Sequence, residues 1–351
     1  MNRRTFLSNA TLAAAGCYLG CSSKPVTESN GTPRSKRERL LAWLDGETDP
    51  SYTPAAFFLH FPPEYKNGEA AANKHMEFFR QTDMDFVKIQ FEQTYQRQQF
   101  LQKPADWQKL SLQKIDFYEP LMVTVRELVK TAKPDALVLM TLYSPFMCAG
   151  HCATSPLLIK HLEEDPEAVK KGLEILTESQ MIFVRACIDA GIDGFYMSTQ
   201  GSEANRFSKP DIFQKYVKPY DLVAMKEAQS KLPFNILHVC DYVAPYANFD
   251  AVKDYPGHVV NCNPQLTEST LTWKQIHDFF GRPCMGGLDR HGILASGPMP
   301  DLEKEIRSAI SAAPKQFILG ADCTVSSDID WSRLRDAIAV AHRTGTQQRA
   351  A

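Results

Sequence analysis

The chain lacks an excess of charge of either sign. Its 351 residues carry 39 Lys and Arg against 41 Asp and Glu, a formal net charge of −2. A surface for nucleic acid needs a clustered positive excess, so composition argues for no such partner. Beyond the leader, the chain lacks an apolar run long enough to cross a membrane as a helix. It lacks a disulfide framework too. Nine cysteines are an odd number, and beyond Cys17 and Cys21 they are scattered. There is no internal repeat and no low-complexity stretch after residue 36. A glycine-rich phosphate turn is missing after the first apolar run, where His60-Phe61-Pro62-Pro63-Glu64-Tyr65 stands instead. That discounts a doubly wound nucleotide-binding sheet. What remains is a globular chain, 44% hydrophobic, with enough apolar residues for a large core.

The first residues read as an address. Asn2-Arg3-Arg4-Thr5-Phe6-Leu7 is a twin-arginine pattern ahead of a modest apolar stretch from Leu7 to Gly20. Residues 1–21 read as an export signal and 22–36 as a polar linker. Cys17 and Cys21 each follow small residues, as at the lipidation site of a bacterial lipoprotein. The expectation is export by the twin-arginine route to the periplasm. Membrane contact would come only through a lipid anchor.

From 37 to 345 short apolar runs alternate with helical patterns. The runs are Phe57–Phe61, Phe86–Phe91, Ala136–Leu142, Gly194–Thr199, Phe234–Val239, His258–Cys262, Pro283–Leu288 and Phe317–Asp322. A typical intervening pattern spans 166–190, with Val169, Leu173 and Leu176 on one face. Strand–helix alternation predicts a parallel sheet. Eight units predict one α/β domain, a (β/α)8 TIM barrel. Cys148 to Thr154 reads as a loop, and His75, His161, His277 and His342 read as surface residues on helices.

Active sites of such barrels lie at the C-terminal ends of the strands. Alternate residues of a strand share a face, so His238 and Cys240 point the same way. Cys323 ends the last run. In a closed barrel the three converge, and three protein ligands with one open position suit catalytic Zn2+. The other strand-end groups are His60, Glu92, Tyr143, Glu203, Asp289 and Asp322. Glu92, Glu203 and Asp322 are candidate proton acceptors, and His60, Tyr143 and Asp289 candidate substrate-binding groups. The competing reading of Cys240 and Cys323 is plain core, or a disulfide in an oxidising compartment. Cys148-Ala149-Gly150-His151-Cys152 has the look of a second metal motif but reads as an incidental cluster.

Several segments, in order, resemble the uroporphyrinogen decarboxylase superfamily, which includes zinc-dependent methyl-corrinoid:thiol methyltransferases. Arg37 to Glu47 is similar to its opening helix. Pro63-Glu64-Tyr65, Ser144-Pro145-Phe146 and Gly286-Gly287-Leu288-Asp289 resemble its later motifs. His238-Val239-Cys240 and Cys323 match the ligands of the methyltransferase branch, although Asp322 stands where that branch has glycine. The paired arginines with which decarboxylases hold their polycarboxylate substrate are absent from Ala56 to Phe61. Glu92 replaces their essential aspartate. The resemblance therefore implies a zinc enzyme that activates a thiol for methyl transfer, from a corrinoid or a separate corrinoid protein. Two alternatives are a metal-free decarboxylase-like enzyme acting on a tetrapyrrole or smaller carboxylate, and a non-catalytic tetrapyrrole- or corrinoid-binding protein.

Overall fold

The computed structural model describes residues 34–209 and 211–345. The expected leader, its two cysteines and nearly all of the linker lie outside the described residues.

Seven parallel strands form one sheet in sequence order. They are β1 Phe86–Ile89, β2 Leu137–Tyr143, β3 Gly194–Thr199, β4 Ile236–Val239, β5 Val259–Cys262, β6 Cys284–Leu288 and β7 Phe317–Ala321. Helices alternate with them, among them Gly68–Thr82, Ile115–Ala132, Pro166–Asp189 and Met299–Ala312. Strands covered on both faces become continuous apolar runs, which is why hydrophobicity alone located all seven. Leu137 to Leu142, for instance, are buried without interruption. The fold is α/β and TIM-barrel-like. Among the described residues, no helix is long and apolar enough to cross a membrane.

The expected first strand, Phe57–Phe61, is extended chain rather than a strand, so the eightfold expectation is corrected to seven strands and a bridging segment. The segment lies between β7 and β1. Ala56 N–H donates to Leu319 O at 3.0 Å, Leu319 N–H to Pro54 O at 2.8 Å, and Asp85 N–H to Ala55 O at 3.0 Å. Regular pairing then stops, and Pro62 and Pro63, which have no N–H to give, bound the segment. Side chains take over the ladder's partners. Ala55 N–H donates to Asp85 Oδ2 at 2.7 Å, and Gln90 Nε2 donates to Leu59 O at 2.7 Å. Phe57, Phe58 and Leu59 stay buried in the core.

Two local expectations also change. Cys148 and Cys152 sit on a helix, Pro145–Cys152, and not in a loop. Ser144 caps it by accepting the Met147 N–H at 3.3 Å, and Pro145 takes the first helical position. His75 and His161 are buried, not on the surface. His75 donates from Nδ1 to Ala71 O at 2.7 Å and accepts the Gln90 N–H at Nε2, 3.2 Å away. His161 accepts from the Trp107 indole at 3.1 Å. A neutral imidazole can be fully satisfied in this way, and burial pushes the His75 pKa down to about 4.

Candidate metal centre

His238 lies in β4, Cys240 just beyond its end, and Cys323 two residues after β7. Strand alternation turns the first two to one side, and the barrel brings the third to meet them. One ligand atom from each lies within 4.8 Å of the others. Among the described residues, this is the one group of His, Cys, Asp and Glu side chains arranged to hold a metal ion. His238 Nε2 is 3.4 Å from Cys323 Sγ. Tetrahedral zinc with usual bond lengths separates nitrogen and sulfur ligands by about 3.5 Å.

The surroundings decide which imidazole nitrogen is available. Asn261 Nδ2 donates to Met285 O at 2.9 Å and Ala321 O at 3.0 Å. Its Oδ1 must therefore accept, and it faces His238 Nδ1 at 2.6 Å. The proton then sits on Nδ1, and Nε2 presents a lone pair toward the sulfurs. This is the outer-shell arrangement expected of a metal-bound histidine. The Tyr196 ring stacks on His238 with centroids 4.9 Å apart, and its hydroxyl also donates to Asn261 Oδ1. Gln200 Nε2 donates to Cys240 Sγ at 3.3 Å. Hydrogen bonding from Cys240, helped by the Arg290 charge, pulls the Cys323 thiol down, while the same sharing and burial push Cys240 up. Two thiolates and an imidazole suit zinc by donor type, and all seven described cysteines are free.

The trio opens into a cavity of about 690 Å3. Lys88, Gln90, Thr141 and Ser198 form part of its lining. None of the lining residues is Asp or Glu. The arginines on its wall already have carboxylates. Arg206 pairs with Glu203 at 3.6 Å, and Arg290 pairs with Asp241 and Asp322. Lys88 has no such partner. Its ammonium donates to Gln90 Oε1 at 2.6 Å and lies over the rings of Phe58 and Tyr196 at 4.6 and 4.8 Å. Burial pushes its pKa down to about 7, although nearby Cys323, Glu92 and Cys240 raise it.

The remaining expected groups divide. His60 and Tyr143 line the cavity. Glu92 stands behind His60, its Oε1 2.7 Å from His60 Nδ1 and its Oε2 3.4 Å from Lys66. Burial would raise the Glu92 pKa, but the hydrogen bond and charge of His60 outweigh it and the carboxyl is lowered. Glu203 is buried outside the lining, accepting the Gly201 N–H at 2.7 Å. Asp322 is buried against Arg290. Asp289 is exposed, caps the His291 N–H at 2.7 Å and does not reach the cavity. Cys148, His151 and Cys152 form no metal-holding group, although His151 reaches the cavity wall. The sequence reading missed Lys88, Arg206 and Arg290. Lys88 did leave a signal, a charge inside the apolar run Phe86-Val87-Lys88-Ile89.

The uroporphyrinogen decarboxylase (URO-D) family model matches residues 82–344. No curated protein matches the chain in sequence. Among solved structures, a methyltransferase from Methanosarcina mazei is similar with a TM-score of 0.68 at 14% identity. That match covers 88% of this chain and 98% of the other. At that identity the likeness is one of fold. A structure from Listeria monocytogenes described as a putative vitamin-B12 independent methionine synthase scores 0.49 at 13% identity, covering 84% and 98%. Likeness at that lower level is no evidence of shared chemistry.

Proposed function

Because the chain belongs to the uroporphyrinogen decarboxylase family, we propose that it is a zinc-dependent enzyme of that family which activates a thiol for methyl transfer. The observation that carries this reading is the convergence of His238, Cys240 and Cys323 at the strand ends, with Nε2 of His238 left free by Asn261. His238, Cys240 and Cys323 would hold the ion. Bound there, zinc supplies acidification of a substrate thiol, so that its sulfur is a thiolate at neutral pH.

The rest of the chemistry belongs to the chain. The S–H proton passes to His60, which lines the cavity and is oriented by Glu92. The sulfur then forms a bond to the methyl carbon as the donor's bond to that carbon breaks. Lys88 gives an acidic group on the substrate its counter-charge, because it is the lining cation with no carboxylate of its own. Phe146, Leu158 and Val325 wall the cavity with apolar surface that limits water. The donor class that goes with this reading is a corrinoid, free or carried by a separate protein. Delivery outside the cytoplasm, with or without a lipid anchor, is part of the same proposal. The carboxylate-free cavity would equally admit a carboxylate substrate without metal, and zinc content separates the two readings.

The test is spectroscopic. Methylcobalamin with a small acidic thiol should be demethylated by the zinc-loaded protein and not after chelation, with the methyl thioether as product. Zinc-loaded protein that leaves both reactants unchanged sinks the proposal. Asn261→Leu should weaken zinc binding about 10–100-fold in chelator competition while leaving the three ligands in place. An unchanged affinity would mean that Asn261 does not set the imidazole.

A further inference from the structure

Each cysteine of the trio is followed or preceded in sequence by an aspartate, Asp241 after Cys240 and Asp322 before Cys323. Both carboxylates reach one guanidinium. Arg290 Nη1 donates to Asp241 Oδ1 at 3.0 Å and to Asp322 Oδ2. The Arg290 backbone N–H also donates to Asp322 Oδ1 at 2.7 Å. Asn263 adds a second tie, with Nδ2 2.7 Å from Asp241 Oδ2 and 3.4 Å from Asp322 Oδ2. The three ionic side chains are only 12%, 10% and 4% exposed for Arg290, Asp241 and Asp322. Groups just beyond β4, β6 and β7 thus meet at one guanidinium, and Asn263 beyond β5 ties the same two carboxylates.

We propose that Arg290 is a positioning residue for the two metal-binding sulfurs. Its Nη1 clamps the β4 and β7 loops together through Asp241 and Asp322 and so sets the distance between Cys240 and Cys323. Two buried carboxylates this close repel each other unless a cation lies between them. Each adjoins a cysteine, so the repulsion would fall on the loops that hold the sulfurs. The aspartate at 322, where the resembling methyltransferases have glycine, gains a reason: it is the β7 half of the clamp. Nη1 meets both carboxylates while Nε donates to His291 Nε2 at 3.1 Å, which fixes the plane of the group; lysine could supply the charge but is shorter and lacks this second anchored donor.

This inference rests on the zinc reading, and the experiment separates the two. Wild type, Arg290→Lys and Arg290→Met are purified metal-free and titrated with Co2+, following the visible absorption of the bound ion and its thiolate charge-transfer bands. Only metal-bound protein gives those bands, so their shape reports ligand geometry independently of any loss of folded protein. A wild type without thiolate bands ends the metal reading itself. Given a wild type that binds, Arg290→Lys should bind about 10-fold more weakly with altered bands, and Arg290→Met about 100-fold more weakly. Arg290→Lys keeps the pair's counter-charge, so it decides the matter even if Arg290→Met does not fold. If Arg290→Lys matches wild type in affinity and band shape, the clamp does not position the sulfurs and the inference is overturned.

Discussion

Cys240→Ser and Cys323→Ser should each remove tight zinc binding and thiol methylation together. Serine nearly matches cysteine in size, so the fold should survive, but it supplies no soft anionic donor to zinc. Structural zinc sites bind with about 10–16 kcal/mol. Loss of one of three protein ligands should cost about 3–4 kcal/mol, or roughly 10²- to 10³-fold in affinity. Cys284→Ser is the control. Cys284 is also buried and lies in a strand, but it is outside the trio and its sulfur donates only weakly to Trp273 O and Arg282 O. Its zinc occupancy should equal that of wild type. If Cys240→Ser and Cys284→Ser behave alike in chelator competition, the trio is core packing and not a ligand set.

Lys88→Met should make the protein more stable and worse at its reaction. Lys88 is buried with a folded pKa pushed to about 7, whereas an unfolded lysine titrates near 10.4. A depressed lysine means that the unfolded chain binds more protons between those values. The Lys88 contribution to stability is therefore fully present above about 10.4 and is lost as pH falls through about 7. The penalty at pH 6 is on the order of 4 kcal/mol, reduced by contacts with Phe58 and Tyr196 that methionine replaces only in part. Urea unfolding of the metal-free proteins at pH 6 and pH 9 reads it directly. Wild type should gain stability over that interval relative to Lys88→Met, which should be the more stable at pH 6. The variant should also show KM for an acidic thiol raised at least about 10-fold through loss of the counter-charge. A parallel pH dependence in the two proteins would show that Lys88 is solvated. An unchanged KM would remove it from substrate binding.

The barrel was legible because parallel strands covered on both faces turn into uninterrupted apolar runs. Seven of the eight runs are strands. The eighth, Phe57–Phe61, has the same hydrophobic signature, and its difference lies in prolines and in side-chain bonds from Asp85 and Gln90 that act across the fold. The grouping of His238, Cys240 and Cys323 was legible for a related reason. Period-2 alternation places His238 and Cys240 together, and barrel closure brings Cys323. The carboxylates were not assignable, because a strand-end acid facing a cavity and one paired with a cation behind it look alike in sequence. None of the three lines the cavity: Glu203, Asp322 and Glu92 stand behind the wall residues Arg206, Arg290 and His60. Whether a helix histidine is buried depends on its neighbours. Trp107, far away in sequence, decided it for His161.

The central claim is that His238, Cys240 and Cys323 hold zinc. The most direct measurement is metal analysis with X-ray absorption on protein purified from its native compartment without added metal. The account predicts one zinc per chain bound by one nitrogen and two sulfur ligands from the protein. Protein free of zinc, or one in which Cys240 and Cys323 are joined as a disulfide, would contradict it.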